Sequence, residues 1–254
     1  MKLTHKHTST AVIGLTFLFA GHANADTLLG GYIGAQSWQM SADGGFSQNE
    51  NLVDFEFEDE NQVNFYAALE HPIPLVPNIK IARTTMDTSG TTTLTGSFEF
   101  GGEVYIADSD LTTQIELTAT DYTLYYEILD NDVVSIDIGI TGKQIDGDIM
   151  VQSDDGDASQ ENISAIIPMG YAKVAIGLPL TGLGIYAEGA ALAIDDDSFT
   201  DYQIALTYSF VESLALDLTL QAGYRSTELD INDVDDVYAD LQFDGVFLGL
   251  EFDF

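Results

Sequence analysis

The chain has 254 residues, with no cysteine, seven Lys+Arg and 42 Asp+Glu, a formal charge of −35. Without Cys there is no disulfide, no thiolate nucleophile and no Cys-ligated metal, and so few bases leave almost nothing to neutralise a phosphate backbone, which argues against nucleic acid as a partner. Hydrophobic residues at 45% and aromatics at 11% exclude an acidic disordered chain, and this length is commonly one domain in an all-β barrel.

Residues 1–25 read as a cleavable secretory signal peptide. Lys2 and Lys6 give the positive start, Ala11 to Ala20 is an uncharged and largely apolar run, and Ala23-Asn24-Ala25 forms an A-x-A cleavage site before Asp26. The apolar run is too short for a membrane helix, and no Cys follows it to carry a lipid. The remaining domain, 26–254, keeps Lys80, Arg83, Lys143, Lys173 and Arg225 against all 42 acids, a formal charge of −37, and keeps His71 alone of the four histidines.

From there a period of two recurs along the chain. Strands are predicted near 27–40, 54–71, 78–88, 112–129, 133–146, 164–178, 184–194, 199–210, 213–226 and 241–254. In 122–128, Tyr122, Leu124, Tyr126 and Ile128 share one face and Asp121, Thr123, Tyr125 and Glu127 the other. The same split separates Val134, Ile136, Ile138 and Ile140 from Ser135, Asp137, Gly139, Thr141 and Lys143. Later strands repeat it, with Ile204, Leu206, Tyr208, Leu216, Leu218, Leu248 and Leu250 on the apolar side. Stretches of about 9–12 residues suit a tilted strand crossing a bilayer, whereas strands of a soluble sandwich are nearer 5–6 residues. Tyr122, Tyr202, Phe210, Tyr224, Phe252 and Phe254 sit toward strand ends, as rings at a lipid–water boundary do. The segment 165–187 has the hydropathy of a membrane helix, but Pro168, Gly170, Gly177, Pro179, Gly182 and Gly184 punctuate it, which two strands and a turn explain better.

The expected fold is therefore all-β: a closed antiparallel up-and-down transmembrane β-barrel of ten strands, since only helices or closed barrels satisfy their backbone in lipid. Twelve strands is the alternative, if 89–111 hides another hairpin. Connectors alternate between short ones (72–77, 130–132, 179–183, 211–212) and longer acidic ones. This is the layout of periplasmic turns and extracellular loops.

The terminal FLGLEFDF, ending in Phe252 and Phe254, resembles the signal read by the barrel-assembly machinery of Gram-negative outer membranes. DTLLGGYIGAQSWQM, EHPIPLVPNIK, DYTLYYEILDN and YAKVAIGLP are similar to an uncharacterised family of small Gram-negative outer-membrane β-barrel proteins. That resemblance implies fold and location in the outer membrane, among its lipid and lipopolysaccharide, and no activity. Barrel enzymes need a catalytic His near one rim. His71 lies beside Pro72 in a short turn without a paired nucleophile, so no enzyme activity and no cofactor are expected.

Twenty-six acids fall in five windows without a base: 41–60, 89–112, 147–162, 195–201 and 227–240. They are expected in outer loops, as a negative crown. Asp154, Asp155 and Asp157, and Asp195, Asp196 and Asp197, are weak candidates for loop-bound Ca²⁺ or Mg²⁺, lacking the spacing of a calcium loop; a plain solvated acidic surface is the simpler reading. Expected to line the lumen are Arg83, Asp121, Glu127, Asp137, Lys143, Lys173, Asp201, Asp217, Arg225 and Glu251, because a charge facing lipid at the midplane costs about 2–4 kcal/mol. At ten strands the interior is only slightly wider than one filled by side chains. A plugged barrel with a structural or surface-interaction role is the leading expectation, and a narrow cation-preferring porin-like channel the alternative.

Overall fold

The computed structural model describes residues 30–131, 133–194, 197–211, 216–234 and 237–254; the predicted signal peptide lies outside these. Ten strands form the wall: β1 (Gly30–Ser47), β2 (Glu60–Glu70), β3 (Asn78–Thr93), β4 (Asp110–Asp130), β5 (Val134–Ser153), β6 (Ala158–Leu178), β7 (Leu183–Ile194), β8 (Asp197–Val211), β9 (Asp217–Val234) and β10 (Val237–Asp253). Each pairs antiparallel with the next, and β10 returns to β1 over a register running from Tyr32↔Asp253 to Ser47↔Tyr238. Gly31 and Phe254 add the last rung, each backbone N–H donating to the other's carbonyl at 2.9 Å. The barrel is closed and leaves no sheet edge at membrane level. The count of ten agrees with the sequence reading. A hairpin does lie within 89–111, but its arms, Phe98–Phe100 and Glu103–Tyr105, form a separate small sheet rather than two wall strands.

The exterior of one half of the wall is apolar on every strand. Ile33, Phe65, Ile81, Leu124, Ile140, Val174, Ile185, Leu206, Leu220 and Leu248 are all exposed. A continuous apolar surface of this extent on an isolated chain is a membrane surface. Both long connectors, 48–59 and 94–109, lie at the opposite end of the barrel, which is the layout of an extracellular end and puts the belt toward the periplasmic side.

Two expectations are corrected at the other half. The wall strands run to 21 residues, about twice what a bilayer requires. The windows 147–162, 195–201 and 227–240 are largely the upper parts of these strands, not loops, whereas 41–60 and 89–112 are largely connectors as expected. The strands continue because the period of two continues with its polarity reversed. Along β4 the inward residues change from Asp121 and Thr123 to Ala119, Leu117, Ile115 and Leu111, while the outward ones change from Leu124 and Tyr122 to Thr120, Thr118 and Glu116. In β1 the inward change is from Gln36 to Trp38, Met40 and Ala42, in β5 from Lys143 to Ile145, Ile149 and Val151, and in β10 from Glu251 to Phe247, Phe243 and Leu241.

The interior is thus small and polar only at membrane level. Above it the barrel is built like a soluble one, with a dry core and a polar wall. Phe46, Phe55, Phe98, Phe100 and Tyr105 crowd its top, with ring centroids 5.0–6.2 Å apart among them. The segments Val53–Asp54, paired with β1, and Glu56–Phe57, paired with β3, fill the gap where β2 and β3 part above Asn64 and Thr84.

The position of the bilayer can be tested by outward arginines on one strand. Leu124→Arg, within the apolar belt, is expected to cost about 2–4 kcal/mol in urea unfolding from lipid vesicles. Thr118→Arg, three rungs higher on the outward face, is expected to stay within about 0.5 kcal/mol of the parent. Equal costs would mean that the belt ends elsewhere.

Candidate functional site: the polar layer of the lumen

Where the wall changes polarity, the inward side chains of all ten strands converge into one layer. Asp201 on β8 lies at its centre. It accepts from Lys143 Nζ at 2.8 Å and from Arg225 through Nη2 at 2.7 Å and Nε at 3.1 Å. Lys143 also sits 2.7 Å from Asp121 Oδ1, its cross-strand neighbour. Both cations are roofed by rings, with Arg225 5.3 Å from the Trp38 ring centre and Lys143 5.8 Å from that of Phe199. Burying these charges is tolerable because each finds an opposite charge in good geometry.

From Arg225 a one-way series of hydrogen bonds crosses the lumen. Arg225 Nη1 donates to Thr84 Oγ1 (3.0 Å), Thr84 to Asn64 Oδ1 (3.3 Å), and Asn64 Nδ2 to Gln36 Oε1 (2.8 Å). Gln36 Nε2 donates to Gln221 Oε1 (3.0 Å), Gln221 Nε2 to the Tyr66 hydroxyl (2.9 Å), and Tyr66 to Glu251 Oε2 (2.8 Å). Donors aligned in one sense polarise one another. Glycines make room for this series. A Cβ at Gly34 would lie 2.2 Å from the Tyr66 ring, and one at Gly249 would lie 2.9 Å from Gln36 Cγ.

A second ion pair joins Lys80 on β3 to Glu188 on β7 across the lumen. Tyr171 donates to Glu188 Oε1 at 3.0 Å and Gln203 Nε2 to its Oε2 at 3.1 Å. Below this level carboxylates prevail toward the periplasmic mouth. Glu70 accepts from Tyr125 (2.8 Å), Glu127 accepts from Asn78 Nδ2 (3.2 Å), and Asp137, Asp217 and Glu251 belong to the same inward rows. Lys173 stands among them, 5.2 Å from the Tyr32 ring centre. Cavities within the layer include ones of about 50 Å³ and about 30 Å³.

Of the residues expected in the lumen, Asp121, Glu127, Asp137, Lys143, Lys173, Asp201, Asp217, Arg225 and Glu251 all face inward. Arg83 does not, and its expected place is corrected. On β3 the inward row is Asn78, Lys80, Ala82 and Thr84, and Arg83 shares the exposed outer row with Ile79 and Ile81. Lys80 and Glu188, absent from the expected set, form the second ion pair. Both were marked by the alternation itself, Lys80 between Ile79 and Ile81, and Glu188 in step with Tyr186 opposite Ile185 and Ala187.

Among the metal candidates, Asp154, Asp155 and Asp157 lie in the β5–β6 turn, and Asp197 Oδ1 accepts from the Asn232 N–H at 2.8 Å. Asp195 and Asp196 lie outside the described residues. Among the described residues no group of three or more acids or histidines is arranged to hold a metal ion. His71 is occupied within its turn, with Nδ1 accepting from the Ile73 N–H at 3.3 Å and Nε2 lying 3.2 Å from the Pro77 carbonyl oxygen.

No protein-family model matches the chain, and no curated protein matches it in sequence. Solved structures with a similar fold include the outer membrane protease OmpT from Escherichia coli, at 10% identity and TM-score 0.48, covering 89% of this chain and 96% of that one. The transport unit of the autotransporter AIDA-I from Escherichia coli is similar at 8% identity and TM-score 0.41, over 92% and 93%. Ail of Yersinia pestis, solved with a heparin analogue, is similar at 12% identity and TM-score 0.31, over 89% and 99%. At these values no residue of theirs corresponds to a residue here. The expectation that this chain has no enzyme activity is nevertheless withdrawn, because a protease is among the barrels it resembles. The closed ten-stranded wall and its lipid-facing belt are those of an outer-membrane β-barrel.

Proposed function

We propose that this barrel is sealed and that it works through its outer surface: a structural or surface-interacting protein that stands above the membrane on an acidic wall. The observation that carries this reading is the double filling of the lumen, by the ion-paired layer at membrane level and by the aromatic core above it. The cavities at the level of the ion pairs hold only about 50 Å³ and 30 Å³, and the larger opening, about 380 Å³ beside Lys173 and Glu251, lies toward the periplasmic mouth, which favours a sealed lumen. The distribution of charge favours the same reading. Lys80, Lys143, Lys173 and Arg225 are turned inward, while Asp43, Asp87, Glu116, Asp146, Glu228 and Asp240 are exposed on the upper wall. Asp87, Glu116 and Asp148 are direct cross-strand neighbours, an arrangement that repels itself unless counter-ions screen it. Divalent cations shared with lipopolysaccharide are the partners this wall suits. Export by the leader at 1–25, handling by the barrel-assembly machinery through Phe252 and Phe254, and the resemblance to an uncharacterised barrel family belong to the same reading.

Planar-bilayer recording of the purified barrel tests it. The expected result is no reproducible ohmic step at any applied voltage. Uniform steps with cation selectivity would replace this reading with a narrow porin-like channel.

A further inference from the structure

From the outward position of Arg83 we infer a contact site for the phosphate of an outer-leaflet glycolipid, of which lipid A is the chemical type. The inference deepens the proposed surface role by naming one lipid contact, and takes from that reading only the barrel's orientation.

Three observations meet at this residue. First, its height coincides with a membrane boundary. One rung below, Ile81 lies opposite Tyr122, an exposed ring, and below that Ile79 lies opposite Leu124 within the belt; Arg83 itself lies opposite Thr120, where the outer face has turned polar. Tyrosines favour the interface, so the next rung outward is at headgroup level. Second, Arg83 is the only base on the exterior among the described residues, set beneath a wall of exposed carboxylates that repels anionic lipid. Third, the guanidinium is exposed and makes no ion pair or hydrogen bond to the described residues, in contrast to Lys80, Lys143 and Arg225, which are all ion-paired. Its five donors are free, and their planar fork matches the oxygens of a phosphate. Beside it on β2, Phe65 is 60% exposed and directly opposite in register, offering an apolar face to the acyl chains that such a headgroup carries.

Titration of the detergent-purified barrel with diphosphorylated lipid A, read as the shift in thermal midpoint, tests the site. Arg83→Ala is expected to weaken the apparent affinity about tenfold, Arg83→Lys to recover part of the loss, and dephosphorylated lipid A to bind the parent and Arg83→Ala alike. Chelation of divalent cations is expected to leave the difference between parent and variant in place. Because Arg83 is exposed and unpaired, the variants are expected to fold, which heat-modifiable gel mobility checks. Equal affinity of parent and Arg83→Ala overturns the proposal. So does loss of parent binding on chelation alone, which would assign the lipid to cations on the acidic wall, and so does equal binding of phosphatidylglycerol, which would reduce the contact to any anionic headgroup. A barrel that conducts would refute the sealed reading without altering any of these outcomes.

Discussion

Asp201→Ala is expected to lower the stability of the barrel by about 3–5 kcal/mol, because it strands two buried cations at once. Arg225 loses both of its charged hydrogen bonds and keeps only Thr84 and the Trp38 face; Lys143 keeps Asp121 and the Phe199 face. Asp201→Asn retains an acceptor without the charge and is expected to fall between parent and alanine. Adding Lys143→Met to Asp201→Ala removes one of the stranded charges and is expected to restore part of the loss. Such non-additivity is the signature of a shared network and not of independent contacts. Urea unfolding in lipid vesicles measures all four proteins. If Asp201→Ala costs less than about 1 kcal/mol, the layer is hydrated, and the sealed lumen on which the proposed function rests is lost with it.

The sequence was most legible where one rule governs both faces of a strand. At membrane level, lipid demands apolar residues outward and the lumen takes what remains, so Ile136, Ile138 and Ile140 could be oriented from their alternation alone. The upper half was misread because the same alternation has the opposite meaning there. Ile145, Ile149 and Val151 follow Lys143 on the inward face of β5 without any break in period. Only the outward partners, Gln144, Asp146 and Asp148, announce that lipid has ended. Acidic residues at every second position were therefore read as loops, although charge run and strand are compatible when one face is dry.

Arg83 failed for a related reason. The cost of a lipid-facing charge falls steeply from the midplane to the interface, so the argument that turned Arg83 inward does not apply at the height where β3 places it. Ile79 and Ile81 had already fixed the phase of that strand. The hydrogen-bond series from Arg225 to Glu251 joins residues from β1, β2, β3, β9 and β10. No spacing in the chain could reveal it, because the contacts depend on the way the closed wall brings those rows face to face.

Phe46→Ala provides the complementary test, of the dry upper core. The Phe46 ring stacks on Phe55 at 5.0 Å, tilts against Phe100 at 5.0 Å and meets Phe98 edge-on at 6.0 Å. Removing it opens a cavity among aromatics held by separate pieces of chain, at an expected cost of about 3–5 kcal/mol. Its effect should be concentrated in the hairpin Phe98–Phe100/Glu103–Tyr105, which forms no ladder with the wall and is anchored by ring packing, by the Gln48 N–H donating to the Glu99 carbonyl (3.3 Å) and by the Tyr105 hydroxyl, 3.1 Å from the Val151 carbonyl oxygen and 2.7 Å from Ser159 Oγ. Faster amide exchange and protease cleavage within 94–109 are the expected readouts, at a denaturant concentration that leaves the membrane-level strands protected. Val104→Ala in the same hairpin, at a side chain 61% exposed, is expected to change stability by no more than about 0.5 kcal/mol. If Phe46→Ala were as mild as Val104→Ala, the upper interior would be wet. The reversal of polarity along the strands would then need a cause other than burial, since no other demand of water or lipid places Phe, Leu and Ile on the inner face at the height where the outer face carries Asp and Glu.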